Sequence, residues 1–179
     1  VSKSLSSRWL VNTALHYTRG KGYYEEFKEG QDYLNYGLAV LDSSNTSGDL
    51  VRRKWLDNDF YGIVASIRFQ QSAATRWTLG SAFNRYIGGH YGEVILTNSG
   101  TTSVLPKRYY DDDANKSDGN VFVRVESQLN NKFTVYGDLQ VRSIHYTFSG
   151  LNDLGLPAPR SESASFVNPK AGLSWNINK

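Results

Sequence analysis

Hydrophobic and polar residues alternate along much of the chain, most cleanly from Asn120 to Leu129, NVFVRVESQL. Val121, Val123, Val125, Ser127 and Leu129 fall on one side, and Asn120, Phe122, Arg124, Glu126 and Gln128 on the other. Successive side chains of a strand point to opposite faces, so this run predicts a β-strand with one apolar and one polar face. After Asn130–Lys132 the run FTVYGDLQVR repeats the pattern: Phe133, Val135, Gly137, Leu139 and Val141 share one face, and Thr134, Tyr136, Asp138, Gln140 and Arg142 the other. Two alternating runs joined by a short polar turn predict a hairpin.

A second hairpin is predicted around QQSAATR, with Tyr61, Ile63, Ala65, Ile67 and Phe69 before it and Trp77, Leu79, Ser81 and Phe83 after it on one face. Two further strands are expected in RWLVNTALHYT and KAGLSWNIN, and no segment keeps a helical period. The expected fold is therefore all-β, an antiparallel up-and-down meander of about six strands. Its connections are unequal. Those near residues 72–75 and 130–132 are short, whereas those at roughly 20–55, 88–115 and 148–163 are long and polar. Short and long connections alternate, which puts the short turns at one end and the long loops at the other. Trp9, Phe69, Trp77, Phe133 and Trp175 then all fall near the short-turn end of the apolar face.

Short turns at one end, long loops at the other and a row of interfacial aromatics are features of outer-membrane barrels. A soluble β-sandwich also predicts one apolar face per strand, but it requires neither an aromatic end nor loops confined to one side. Six strands are too few to close a transmembrane barrel, which needs about 8. An open sheet edge in lipid would leave backbone groups unpaired. The membrane reading thus requires the segment to be part of a larger barrel.

Composition narrows the function classes. The 179 residues carry 12 Tyr, 8 Phe, 4 Trp and 16 Gly, in keeping with β structure, and no Cys, which excludes disulfides and thiolate metal sites. The net charge of +3 comes from interspersed charges of both signs, so no nucleic-acid partner is expected. His16, His90 and His145 are too far apart for a histidine metal motif. No apolar run is long enough for a membrane helix, and VSKSLSSRW lacks the apolar core of a signal peptide. With no Met anywhere, the chain is read as an internal segment of a longer protein, one partial barrel domain over 1–179.

Candidate chemistry is sparse. In KRYYDDDANKSDGN (Lys107–Asn120), a calcium loop begun at Asp111 would put Lys116 where a Gly is needed and Phe122 where a bidentate Glu is needed. The run is read instead as the solvated upper part of a strand. RRKWLDND (Arg52–Asp59) is read as exchanging ion pairs with neighbouring strands, and GKGYYEEF (Gly20–Phe27) does not form a phosphate loop. Ser143 and His145 share the face of Leu139 and Val141, with no third group to orient them, so no enzyme is expected. The functional surface is the polar face: Arg68, Asn84, Arg124, Glu126, Tyr136, Asp138, Gln140 and Arg142 line it, and Tyr86 and His90 stand at strand tops where a ligand could touch them. No cofactor is implied.

Five segments, Thr13–Leu38, Asp49–Phe69, Trp77–Val94, Arg108–Leu129 and Phe166–Asn178, together resemble the barrel domain of TonB-dependent outer-membrane receptors. TALHYTRGKGYYEEFKEGQDYLNYGL (Thr13–Leu38) is similar to a strand rising into a long external loop, and DLVRRKWLDNDFYGIVASIRF (Asp49–Phe69) to its descending partner. WTLGSAFNRYIGGHYGEV (Trp77–Val94) and RYYDDDANKSDGNVFVRVESQL (Arg108–Leu129) resemble the next pair, and FVNPKAGLSWNIN (Phe166–Asn178) a recurring strand with Asn168–Gly172 at its centre. The resemblance implies a barrel of about 22 strands with an N-terminal plug. It also implies location in the outer membrane of a Gram-negative bacterium and TonB-driven uptake of a scarce ligand: a ferric siderophore, haem, cobalamin or glycan. The expected partners are outer-membrane lipid, the remaining strands and plug of the parent chain, the TonB complex and a small ligand. The polar-face residues would pack against the plug. A soluble carbohydrate-binding β-sandwich and an outer-membrane hydrolase barrel are the alternatives.

Overall fold

The computed structural model describes residues 1–40, 46–98, 101–150 and 157–177. They form one antiparallel sheet whose strands neighbour one another in chain order: β1 (Ser2–Ser4), β2 (Trp9–Asp32), β3 (Ser47–Gln70), β4 (Thr75–Thr97), β5 (Lys107–Gln128), β6 (Phe133–Ser149) and β7 (Arg160–Trp175). The sheet is open, not closed into a barrel. Six long strands match the alternating runs, and the short β1 adds a seventh that pairs with the foot of β2. A single 3-10 turn, Tyr33–Tyr36, is the one helical element among the described residues.

The short turns all lie at one end, and polar side chains brace them. Ser72 Oγ accepts from the backbone N–H of Ala74 and Thr75, and Asn130 Oδ1 accepts from those of Lys132 and Phe133. These side chains satisfy amides that the ladder leaves unpaired, which is the reason Ser and Asn favour turns. Each turn fixes the register of the pair it joins, β3 with β4 and β5 with β6. One row crosses six strands as Trp9, Phe69, Trp77, Val125, Gly137 and Ala171.

That register carries the predicted apolar faces to one side of the sheet, in rows such as Val11, Ile67, Leu79, Val123 and Leu139. Val121, Leu139 and Val141 on it are 46–53% exposed, and no second layer covers them among the described residues. A sandwich would set a second sheet about 10 Å away. Here the buried hydrophobic cluster (Tyr33, Tyr36, Leu38, Leu50 and Val94) lies at the loop end of the sheet instead. The apolar band begins at the aromatic row, where Trp9 stacks on Phe69 at 4.5 Å and Phe133 on Trp175 at 5.9 Å. It ends where Tyr17 pairs with Tyr61. At about 3.4 Å per residue, Trp9 to Tyr17 covers about 27 Å along the strand, and strand tilt shortens its projected height. Above Tyr17 the same face turns ionic: Arg19 pairs with Asp57 and Asp59, and Lys21 with Asp57.

The long connections are shorter than the sequence pattern implies. They cover 33–46, 98–106 and 150–159, while most of the residues read as loop in 20–55, 88–115 and 148–163 continue the ladder as strand. Hydrophobic alternation stops above Tyr17 because neither face is apolar there, yet the side chains still alternate. Cross-strand pairs hold this upper ladder: Arg53 to Glu25 at 2.8 Å, Tyr23 with Trp55 at 4.5 Å, and Arg108 over Tyr91 at 3.8 Å. Each such pair contributes about 0.2–1 kcal/mol, so the extension relies on many of them.

On the opposite face, rings lie on cross-strand glycines. Phe122 covers its partner Gly80 and Tyr136 covers Gly172, so a Cβ at either glycine would collide with the ring. An aromatic lying over a facing glycine is a device that supports curvature in a sheet.

Candidate functional site

The register carries all ten predicted site residues onto the polar face. Nearest the short turns, Arg68, Arg124 and Glu126 line a depression of about 240 Å³ with Arg76, Thr78 and Phe122. Arg76 Nη2 donates to Glu126 at 2.6 Å, and Arg124 Nε donates to Asp138 at 3.0 Å while lying 5.9 Å from the Tyr136 ring. Asp138 is the one charged side chain recorded as buried among the described residues, so this bond satisfies an otherwise costly carboxylate. Higher up, Gln140 exchanges hydrogen bonds with Asn120 and Asn168, each at 3.3 Å, and Arg142 Nε donates to Asp118 at 3.0 Å. Asn84 stands between Gly62 and Asp118 in the ladder, and Tyr86 bonds to His90. The polar face is thus a chain of cross-strand pairs rather than one converging site.

Arg76, Asp118 and Asn168 are partners that the sequence reading did not select. Arg76 and Asp118 sit one or two residues outside the alternating runs, so the same alternation carried further would have reached them. The upper polar face was missed more completely. Tyr24, Glu26, Arg52, Lys54 and Tyr110 occupy it, and the loop carrying the 3-10 turn reaches it at Arg52 through Tyr36. Asp32 caps the turn by accepting from Leu34 N–H, and Gly37 closes it in the left-handed conformation at φ 61°. Tyr36 is then anchored: its Oη donates to Gln31 Oε1 at 2.9 Å and accepts from Arg52 Nη1 at 3.1 Å, while Arg52 Nε holds Glu26 at 2.8 Å. Tyr109 packs its ring edge-on to Tyr36 at 4.9 Å, and burial pushes its phenol up to about 12. Its Oη is buried with no hydrogen-bond partner among the described residues.

The Arg52 hydrogen bond holds the Glu26 carboxyl below its ordinary 4.5. A depressed carboxyl stabilises the fold fully above its unfolded value, and that contribution is lost as pH falls through the folded one. Amide exchange of residues 33–38 is therefore expected to stay constant from neutral pH down to about 4.5 and to speed up below it, beyond the intrinsic pH dependence. Glu26→Gln should remove that step.

The acidic run lies wholly within β5. Asp111 and Asp113 face the side of Tyr91 and Asp112 the side of His90, so the three carboxylates do not converge, and Asp111 takes Arg108 at 2.6 Å. RRKWLDND exchanges ion pairs with β2, as its mixed charges suggest. Ser143 and His145 do not bond to one another: His145 Nδ1 meets Ser163 Oγ at 2.8 Å and Ser143 meets Ser165. No group of three or more His, Cys, Asp or Glu converges among the described residues. No family model matches the chain, and no curated protein matches it.

Proposed function

We propose that the chain is a wall segment of a transmembrane β-barrel in the outer membrane, belonging to a TonB-dependent receptor that takes up a scarce ligand. The observation that carries this reading is the single-layer sheet with two unlike faces. One face exposes an apolar band between the row of Trp9, Phe69 and Trp77 and the Tyr17–Tyr61 pair; the other carries cross-strand polar pairs from β4 to β7. Lipid satisfies a bare apolar face of this kind, and a water-filled or plugged lumen satisfies the polar one. The outer edges of β2 above Thr13 and of β7 are where further strands of the parent chain would pair, because a barrel leaves no edge in lipid. In this reading the inner ion pairs stiffen the wall and meet the plug, the upper strands and loops meet the ligand, and the TonB complex acts through the plug. The choice among ferric siderophore, haem, cobalamin and glycan rests on the resemblance alone.

The 179 residues hold no cysteine, so an introduced thiol is read against a full-length parent in which any cysteine elsewhere is replaced by serine. In the full-length protein in native membranes, Val123→Cys and Leu139→Cys should resist a water-soluble thiol reagent and react with a lipid-soluble one, and Gln140→Cys should do the reverse. Free aqueous labelling of Val123→Cys in a soluble protein would overturn the membrane reading. Uptake is checked separately, by comparing the four ligand classes in cells with and without the gene and with and without TonB. Equal uptake in every strain would sink the receptor role.

A further inference from the structure

The upper border of the apolar band is one row across six strands: Tyr17, Tyr61, Arg85, Ser117, His145 and Ser163. Arg85 is the unusual member. Arginines higher on this face have carboxylates: Arg19 pairs with Asp59 at 2.9 Å, Arg53 with Glu25 at 2.8 Å and Arg108 with Asp111 at 2.6 Å. Arg85 is exposed and has no acidic partner among the described residues. Of its diagonal neighbours in the ladder only Asp59 is acidic, and Asp59 already accepts from Tyr17 Oη at 2.6 Å and from Arg19. Ser117 stands opposite Arg85 and His145 opposite Ser117, so a hydroxyl and an exposed imidazole continue the row. His145 Nδ1 meets Ser163 Oγ at 2.8 Å. When Ser163 donates to Nδ1, Nε2 carries the proton and can donate to an anion.

The row beneath changes character along the sheet. From β2 to β4 it is Leu15, Ile63 and Phe83; from β5 to β7 it is Gly119, Ser143 and Ser165. These small residues leave a notch in the top of the apolar band. The Phe83 ring walls it, 3.7 Å from where a Cβ on Gly119 would stand. Below the notch Val121, Val141 and Val167 are each more than half exposed. A negatively charged head joined to a hydrocarbon tail fits this arrangement, with the tail along the valines and the head in the notch. The Cα atoms of Arg85 and His145 are two strands apart, about 9–10 Å, a gap that their side chains can close around a tetrahedral oxyanion above Ser117. A guanidinium fork matches phosphate oxygens, and such charge-assisted bonds are strong ones. We infer that this row binds the phosphate of a membrane lipid, held between Arg85 and His145. The inference rests on the barrel reading, in which the loop end is the outer side, so the lipid belongs to the outer leaflet.

The test uses the full-length protein in phosphatidylcholine vesicles, with a bimane fluorophore on Val167→Cys beside the notch. Brominated phosphatidic acid and brominated phosphatidylcholine quench the fluorophore on contact, and the two quenching curves give their relative affinity at this spot. Phosphatidic acid is expected to bind more tightly. Arg85→Gln should lower its relative affinity about 5-fold, and His145→Gln about 2-fold. Lys116→Gln, which removes a cation beside Ser117 on the opposite face, should leave it unchanged. A fluorophore on Val11→Cys, far across the same band, should not register Arg85→Gln at all. Equal affinity of the two lipids, or a preference that survives Arg85→Gln, would overturn the inference and leave the barrel reading standing. Quenching by neither lipid would sink the membrane reading and the inference with it.

Discussion

On the proposed barrel reading, Val121→Arg is expected to destabilise the protein in a bilayer by about 2–4 kcal/mol, while Asn120→Arg, one residue away, changes stability by less than about 1 kcal/mol. Val121 sits in the middle row of the apolar band, level with Thr13, Ala65, Ser81 and Val141. It is 53% exposed in the sheet, so a guanidinium there meets no protein group that could receive it. In water such a position accepts arginine with little effect; at the midplane of a bilayer the charge is desolvated. Asn120 faces the other way, among Gln140 and Arg142, where polar atoms are already present. Equilibrium unfolding of the full-length protein from lipid vesicles reads both variants. At about 1.4 kcal/mol per decade, the Val121 change is roughly 30- to 1000-fold in the folding constant. Equal and small effects of the two substitutions would place both faces in water and remove the basis for a membrane band.

The same contrast explains how much of the fold was legible in the sequence. Between Trp9 and Tyr17, and at the same height in every strand, one face is apolar and the other polar, so hydrophobic alternation records the direction of each side chain. The faces of Val121, Leu139, Arg124 and Gln140 could be read there directly. Above Tyr17 the polar residues occupy both faces, and the code carries no signal although the ladder continues to Asp32, Thr97 and Ser149. Bulges then shift the count. The extra residues near Val51 and Gly92 put Leu96 beside Val51 and Arg108 beside Glu93, even-numbered residues on the face that odd ones hold lower down. Arg76 and Asp118 lie just outside the alternating runs, and their partners, like that of Asn168, follow from register: Asp118 meets Arg142 across the Asn130 turn, whereas Arg76 meets Glu126 and Asn168 meets Gln140 across strands joined by long connections whose register no turn motif announces. The Tyr86–His90 contact was legible only as two separate residues, because it depends on a ring lying over Gly88.

The cap over the upper polar face had no periodic signature at all, and it carries the second large expected effect. Tyr33→Ala should destabilise the cap by about 3–5 kcal/mol, the usual cost of emptying a buried aromatic site. Tyr33 is fully buried, and its ring fills the space above Gly48, where a Cβ would collide with it. Its hydroxyl donates to Asn98 Oδ1 at 3.1 Å, linking the first long connection to the second. The two connections are joined again where Val40 bridges Thr101 and Ala39 N–H donates to Ser103 Oγ at 2.8 Å. Tyr36, Leu38, Leu50 and Val94 complete the buried cluster, and Leu105 of the second connection packs against it with Val40 and Tyr109, so removing its largest member should loosen both loops together. Hydrogen exchange is the decisive measurement. Protection is expected to fall in Tyr33→Ala at residues 33–40 and at 101–103, with the hairpin of β5 and β6 unchanged. Tyr33→Phe, which keeps the ring and loses the bond to Asn98, should cost only about 1 kcal/mol. Loosening of residues 33–40 alone would show that the loops are stabilised separately. Loss of protection throughout β5 and β6 would make the cluster part of the global core rather than a local cap. The packing favours the local outcome, because no buried hydrophobic residue of the cluster comes from β6 or β7.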